Sequence, residues 1–170
     1  MYLGTVGNAA CDYKYTDKHH GNGKSDKTFR INELHIKGKQ DSRFFPGEEI
    51  DFELLCESMK SWDNINFRFE IQFQDGTSAA AILSDTGVDF KENEEKSIHM
   101  KLNTSYLMPG KYRVDIVAYV YNQFGMEQFV DGVYPGFIFE ISDVLNDKHK
   151  LVWQHQYWGH VRLKDAQIIH

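Results

Sequence analysis

The most regular pattern in this chain is a strict alternation of apolar and polar residues at positions 65–73. Every odd position is Ile or Phe, and every even position is polar or charged. Successive side chains of a β-strand point to opposite faces of its sheet, so a period of two predicts a strand with one buried face. The pair Asp75-Gly76 follows and favours a turn at the end of this strand.

Other strand-like stretches follow one another along the chain, with turn-forming residues between them. We predict strands at 29–36, 50–56, 65–73, 79–83, 98–102, 112–120 and 137–141, and a further strand at 161–163. Short helix-like stretches lie at 92–95 and 146–150. Many short strands separated by turns predict an all-β fold, here a sandwich of two antiparallel sheets. The side chains expected in its core are Phe67, Phe69, Ile71, Val114, Ile116 and Phe139.

The two ends of the chain differ from its middle. Residues 17–26 carry no apolar side chain to bury, so residues 1–28 are interpreted as an exposed lead-in or linker, with a short strand at 1–6. Residues 29–170 are assigned to the sandwich domain. After a polar, hinge-like stretch at 144–150 the chain becomes aromatic, with Trp153, Tyr157 and Trp158. Such a terminal strand needs a partner surface, either on its own sandwich or on a second copy.

Composition and charge narrow the classes of function. The chain has 170 residues, of which 41% are hydrophobic and 26% charged, and this composition suits one globular domain. Its net charge is −6 and it has no Lys/Arg block, so nucleic acid is not an expected partner. No apolar stretch reaches the roughly 20 residues that span a bilayer, and the chain does not begin with a signal-peptide pattern. We therefore expect a cytoplasmic location.

The sequence offers no persuasive catalytic or metal site. It contains neither a P-loop, nor GxGxxG, nor GxSxG, nor HExxH. Its eight histidines lack cysteines or carboxylates at ligand spacing, so we expect no metal and no cofactor. Glu70 and Asp115, on the polar faces of two strands, could form a glycosidase acid/base couple, but exposed strand carboxylates are usually solvated. The chain is therefore not expected to be an enzyme.

Several strand and turn motifs, taken in order, resemble one known family. They are Gly21-Asn-Gly23 ahead of the strand at 29–36, Phe-Pro-Gly-Glu-Glu at 45–49, the strand and Asp-Gly turn at 65–76, Met-Pro-Gly-Lys-Tyr at 108–112, and the stretches 137–141 and 158–163. This order, over residues 21–163, is similar to the C-terminal domain of Wzt-type proteins. Those proteins are the nucleotide-binding subunits of ABC transporters that export O-antigen and related polysaccharides.

The resemblance implies a β-sandwich of immunoglobulin-like or jelly-roll type that follows an ATPase domain. It also implies recognition of the terminal part of a cell-surface polysaccharide before export, and a homodimer formed by exchange of the C-terminal strand. Because this chain lacks ATPase motifs, it would be the separate binding domain, connected to the transporter's membrane subunit through an ATPase domain at the cytoplasmic face of the inner membrane. The alternative is a stand-alone sandwich that serves interaction or assembly and has no sugar ligand.

No contact residue transfers from that family by motif, so the candidate site rests on the chemistry of sugars. Sugars stack their CH faces on aromatic rings and hydrogen-bond to planar polar side chains. The predicted carbohydrate-binding residues lie on the polar faces of two strands: Asn66, Arg68, Glu70 and Gln72 on the first, and Arg113, Asp115, Tyr119 and Tyr121 on the second. If these strands adjoin, the residues form a shallow polar and aromatic groove. The alternative is an ordinary solvated sheet face.

Overall fold

The alternation in the sequence becomes two facing β-sheets in the structure. The structure is a computed structural model that describes residues 10–21, 25–143 and 151–169. Its elements are β1 (Asp12–Lys14), β2 (Phe29–Ile36), β3 (Arg43–Phe44), β4 (Ile50–Ser58), β5 (Trp62–Phe73), β6 (Ser78–Leu83), β7 (Val88–Phe90), β8 (Glu94–Leu102), β9 (Gly110–Tyr121), β10 (Glu127–Ile141) and the four-residue helix α1 (His155–Trp158). Within the described residues no helix is long and apolar enough to cross a membrane.

The strand order confirms the predicted all-β, antiparallel sandwich. One sheet has four strands in the order β1-β2-β4-β8, and the other has six, in the order β3-β10-β9-β5-β6 with β7 also pairing to β5. The pairings are antiparallel except that of β3 with β10, which is parallel. One of the two sheets is strongly curled, as in a half-barrel.

The core lies between the two sheets and contains the side chains predicted from the alternation. Phe67, Phe69, Ile71, Val114, Ile116 and Phe139 are each at most 2% exposed. Phe52 of the four-stranded sheet packs against two rings of the other sheet, with centroid distances of 5.6 Å to Phe69 and 5.9 Å to Phe137. Because burying one such side chain is worth about 1.5–3 kcal/mol, a one-residue slip of β5 would lose the contribution of its whole apolar face.

Three local predictions differ from the structure. The helical interpretation of residues 92–95 is wrong, because β8 starts at Glu94 and pairs with β4 over its full length. The strand predicted at 137–141 begins ten residues earlier, at Glu127. Bulges at 129–131 and 133–137 interrupt the alternation of apolar and polar residues in its first part. Instead of a strand at 161–163 there is a single bridge between Leu107 and Val161. The stretches 1–6 and 146–150 lie outside the described residues.

Part of the expected lead-in is built into the sandwich. Within residues 1–28 the structure has strand β1, which pairs with β2, and it buries Tyr13 and Tyr15 in the core. The Tyr15 hydroxyl donates a hydrogen bond of 2.7 Å to the carbonyl of Gly136 on β10. This segment therefore links the four-stranded sheet to the last strand of the six-stranded sheet.

The C-terminal segment (residues 151–163) packs against one end of the sandwich. Its backbone bonds to the loop before β9, from the Met108 amide to the His160 carbonyl (3.0 Å) and from the Arg162 amide to the Tyr106 carbonyl (2.8 Å). The rings of His155 and His160 both stack on Phe73, at centroid distances of 4.2 and 4.4 Å. The segment thus covers a core ring at the end of β5.

The two histidines of this contact form a hydrogen-bonded chain. Their Nδ1 atoms are 2.9 Å apart, His155 Nε2 is 2.7 Å from the Pro109 carbonyl, and His160 Nε2 is 2.7 Å from Thr77 Oγ1. Since one Nδ1 must donate and the other accept, the pair cannot bind a proton on every ring nitrogen. Burial, followed by the neighbouring His155, lowers the pKa of His160, while the Asp75 carboxylate acts in the opposite direction.

Acidification should therefore weaken the packing of the C-terminal segment. The pKa of His160 is lower when the C-terminal segment is packed than when the segment is released, where it is about 6.5. Above pH 6.5 the imidazole is neutral in both states and the packing is at its full strength. As the pH falls below 6.5 the released state binds the proton more readily, so the packed state loses stability. We expect the fluorescence of Trp153 and Trp158 to report release of the segment when the pH is lowered from about 8 to about 5. The His160→Gln variant should show a much weaker pH dependence and His35→Gln an unchanged one. Equal curves for wild type and His160→Gln would contradict this account.

Candidate functional site

The pairing of β5 with β9 brings the two predicted sets of side chains together. Asn66 lies opposite Tyr119, Glu70 opposite Asp115, and Gln72 opposite Arg113. Directly opposed residues of antiparallel strands point to the same face of the sheet. The eight predicted residues therefore share one surface, called here the outer face, which is the side of the six-stranded sheet away from the core. The adjacency that the sequence left conditional is present in the structure.

The middle of the outer face is buried, unlike an ordinary solvated sheet surface. Asp115 is 4% exposed, Val117 3% and Tyr119 2%, although all three alternate with core residues along β9. Side chains from the flanking positions cover them. The Arg68 guanidinium lies 5.3 Å from the Tyr119 ring centroid, and the Tyr121 ring meets Tyr119 edge-on at 5.6 Å.

Both arginines of the outer face are held by carboxylates. Arg68 donates from Nε to Glu70 at 2.8 Å and from Nη1 to both carboxylate oxygens of Glu127 at 2.7 Å. Arg113 donates from Nε and Nη2 to the two oxygens of Asp115, at 2.9 and 3.2 Å. The Glu127 carboxylate, and to a smaller extent Glu70, raises the pKa of Arg68. These pairs fix the planar groups in position.

The same pairs argue against the glycosidase interpretation of Glu70 and Asp115. Burial raises the pKa of Asp115, while the hydrogen bonds from Arg113 oppose that rise and the nearby Glu70 adds to it. A general acid must present its proton to the leaving group, but both Asp115 oxygens accept from Arg113 and the residue is almost completely buried. Glu70 in turn accepts from Arg68. The geometry offers fixed hydrogen-bonding groups and no free acid/base couple.

Tyr134 is a member of the outer face that the sequence analysis missed. It lies in the β10 bulge between Val133 and Phe137, and a Cβ atom placed on Gly132 would come within 2.6 Å of its hydroxyl oxygen. Its ring therefore lies over Gly132, which is opposite Val117 of the outer face, and burial, followed by the charges of Glu70 and Asp115, raises the pKa of Tyr134. Glycine and proline inside the apolar run at 130–137 were the available signal, because they mark bulges.

A depression (Asp63, Asn64, Asn66 and Tyr121) adjoins the outer face at the start of β5, and it also was not predicted as a unit. It holds about 400 Å³. The pairing of β5 with β7 shifts between Trp62 and Ile65, so Asp63 and Asn64 form a bulge. Such bulges redirect side chains.

Several contacts hold this bulge in one conformation. Asn64 has a φ of 54°, a left-handed backbone that asparagine tolerates better than most residues. Its amide donates to Asp89 Oδ1 at 2.9 Å, and its carbonyl accepts from Asn66 Nδ2 at 2.8 Å. Gly87 lies directly against its backbone. The floor of the depression is therefore preformed.

The tryptophans of the chain, which are also candidates for stacking on a sugar, lie outside the outer face. Trp62 begins β5, and the Lys60 ammonium lies 4.2 Å from its ring. Trp153 and Trp158 pack edge-on at 5.3 Å within the C-terminal segment. Among the described residues there is no group of three His, Cys, Asp or Glu side chains arranged to hold a metal ion.

The sequence matches no protein-family model and no curated protein. Among solved structures, the chain is similar to the crystal structure of the C-terminal domain of wzt. The TM-score is 0.67, and the match covers 92% of this chain and 91% of that one at 14% sequence identity. At this identity the likeness shows a shared fold, and it confirms the fold resemblance inferred from the order of the motifs.

The close approach of Gly87 to Asn64 gives a test of the preformed depression. A Cβ atom at position 87 would lie 2.7 Å from the Asn64 Cα and 2.9 Å from its carbonyl carbon, so the bulge would have to move. We expect Gly87→Ala to lower the free energy of unfolding by about 1–3 kcal/mol in urea denaturation. Thr86→Ala, in the same turn, should change it by less than about 0.5 kcal/mol. Equal stabilities of the two variants would show that the bulge is pliable.

Proposed function

We propose that this chain is a non-catalytic domain that binds the terminal part of a cell-surface polysaccharide destined for export by an ABC transporter. The observation that carries the proposal is the outer face, where amide, guanidinium, carboxylate and tyrosine groups converge on one sheet. The fold supports it, because the C-terminal domain of wzt has the same architecture. Chemistry and fold thus favour the same ligand class.

The exposed groups of the outer face match what a sugar ring presents. Tyr121 is 59% exposed, so its ring can stack on the CH face of a pyranose. Asn66 and Gln72 are half-buried amides, each with donor and acceptor groups for hydroxyls. In the described part of the chain, no acceptor receives a hydrogen bond from Nη1 of Arg113, so this donor is available as well.

Rigidity adds to the case for binding. Arg68 bridges Glu70 on its own strand and Glu127 on β10, and its pairing to both carboxylates restricts its rotamers before any ligand arrives. Side chains that are already ordered lose less conformational entropy on binding. A preformed surface of planar groups is suited to the fixed positions of hydroxyls on a sugar ring.

The rest of the transport machinery would lie outside this domain. The sequence carries no ATPase motif, so ATP hydrolysis would belong to a separate domain that connects this one to the transporter's membrane subunit. The domain would then work at the cytoplasmic face of the inner membrane. There it would hold the glycan end while the transporter engages the chain.

The C-terminal segment and the residues after it favour assembly into a homodimer. Apolar side chains there are largely exposed, and they include Val152 (63%), Tyr157 (75%), Leu163 (74%), Ile168 (78%) and Ile169 (88%). A segment with many exposed apolar side chains is typical of a protein-binding surface. Exchange of this segment between two copies would use the contacts to Phe73 and the Met108 loop in the partner, and it would bury the remaining apolar groups.

The dimer is tested by sedimentation of the 19.8 kDa chain. We expect twice the chain mass at micromolar concentration, and a destabilised monomer after truncation at Asp147, because the truncated chain lacks the segment that covers Phe73. Light scattering on the same samples is an independent measure of mass. A full-length chain that stays monomeric at high micromolar concentration would contradict the exchange.

Polysaccharide binding is tested by screening the chain on an array of bacterial glycans and measuring the melting temperature with each hit. A ligand that binds the native state raises the melting temperature by mass action. Tyr121→Ala should weaken binding by about tenfold or more, because it removes the exposed ring of the outer face. It should lower the melting temperature of the free protein by only a few degrees, because the aromatic contact that it loses is the edge-on contact with Tyr119. Tyr106→Ala, which removes a tyrosine of similar exposure outside the outer face, is the matched control.

A chain that binds no glycan but dimerises through the C-terminal segment would instead be an assembly module, the alternative favoured by that segment's exposed apolar groups. Equal glycan affinities for Tyr121→Ala and wild type would place the binding surface away from the outer face.

A further inference from the structure

The charges of the outer face and the depression restrict the class of sugar that can bind there. The two arginines of the face are paired with Glu70, Glu127 and Asp115, so their positive charge is already neutralised by the protein. Carboxyl groups outnumber guanidinium groups on this surface. The depression adds Asp63, an exposed carboxylate, and none of the residues that line it is a cation.

The cations close to the depression are already paired with carboxylates. Lys60, three residues before Asp63, pairs with Asp26 at 3.3 Å, and its ammonium lies 4.2 Å from the Trp62 ring. Arg68, two residues after Asn66, is paired with Glu70 and Glu127. Lys96 donates to the carbonyl of Asp89 and pairs with Glu94 at 3.4 Å. These cations are thus occupied by the protein's own groups, and no residue that lines the depression is a counter-charge for an anionic group.

The polar groups that remain are those that recognise hydroxyls. Asp63 can accept hydrogen bonds from two neighbouring hydroxyls, and Asn64 and Asn66 supply amide groups. Asn66 donates from Nδ2 to the Asn64 carbonyl, which leaves its own side-chain oxygen as an acceptor for a ligand. The Tyr121 ring forms the apolar side of the depression. The set combines a stacking surface with acceptors and lacks a cation.

We propose that the depression formed by Asp63, Asn64, Asn66 and Tyr121 binds the terminal sugar of the glycan, and that this sugar is uncharged. This inference rests on the proposed function and narrows it to a ligand class. A terminal uronic acid or sugar phosphate should bind more weakly, because its anionic group would lie beside the Asp63 carboxylate while the neighbouring cations are already paired with carboxylates. Selectivity here arises from repulsion of the wrong ligand as much as from attraction of the right one.

The test compares oligosaccharides of one backbone that differ only in their terminal residue. The hits of the array define the backbone, and each is made with a terminal hexose, the corresponding hexuronic acid, or the hexose 6-phosphate. Calorimetric titration should give affinities about fivefold or more higher for the hexose at about 20 mM NaCl, and the difference should shrink at about 500 mM NaCl as repulsion is screened. Equal or tighter binding of either acidic form at low salt would overturn the inference.

Charge reversal locates the effect. Asp63→Lys should remove or invert the preference against the acidic forms, because it places a cation in the depression. Glu33→Lys makes the same change in net charge on β2 of the other sheet and should preserve the preference. If both variants change selectivity equally, net charge and not the depression governs it, and the assignment of this subsite is wrong. If none of the oligosaccharides binds the wild-type chain, the proposed function itself fails, which is a different outcome from binding without charge preference.

Discussion

A buried hydrogen bond between the sheets is the constraint on which the architecture of this domain depends. The amide of Ile31, in β2, donates at 2.8 Å to the Asp131 carboxylate of β10, which is 1% exposed and also contacts His20 Nδ1 at 2.9 Å. Both strands bulge at these positions, β2 between Ile31 and Glu33 and β10 between Phe129 and Asp131. The bulges free the amide from its ladder and turn the carboxylate inward. A hydrogen bond to a charged group is worth about 1.5–3 kcal/mol, and an unpaired buried carboxylate would cost more.

The outer face depends on the same strand. Because the first bulge shifts the alternation, Phe129 lies opposite Tyr119 on the outer face while Asp131, two residues later, points to the core. The second bulge carries Tyr134, whose ring lies over Gly132 on the outer face. Residues that hold the sheets together and residues that shape the candidate binding surface thus alternate along β10. Changes at Asp131 should therefore alter the outer face as well as the stability of the fold.

Recognition by this domain would rely on groups fixed before the ligand arrives. Arg68 and Arg113 are paired with carboxylates, the Asn64 bulge is held by Asp89, and Tyr119 is buried under its neighbours. Such a surface would select among sugars by the fixed positions of its hydrogen-bonding groups and by the negative charge of Asp63. The C-terminal segment, with its exposed apolar groups and its stacked histidines, is the part of the domain that the proposed dimer would use.

The sequence by itself determined the centres of most of the longer strands, the inward set from Phe67 to Phe139, and the polar composition of the outer face, because a period of two is a local property that fixes which side chains share a side. It also shows no P-loop motif. Only the tertiary structure decided that β5 lies beside β9, that Asp115 and Tyr119 are buried, and that Tyr134 and the bulge at Asp63–Asn64 extend the surface. These features arise from pairing between strands that are far apart in sequence. A bulge and the burial of a side chain depend on the partner strand as well, so the sequence of one segment does not predict them.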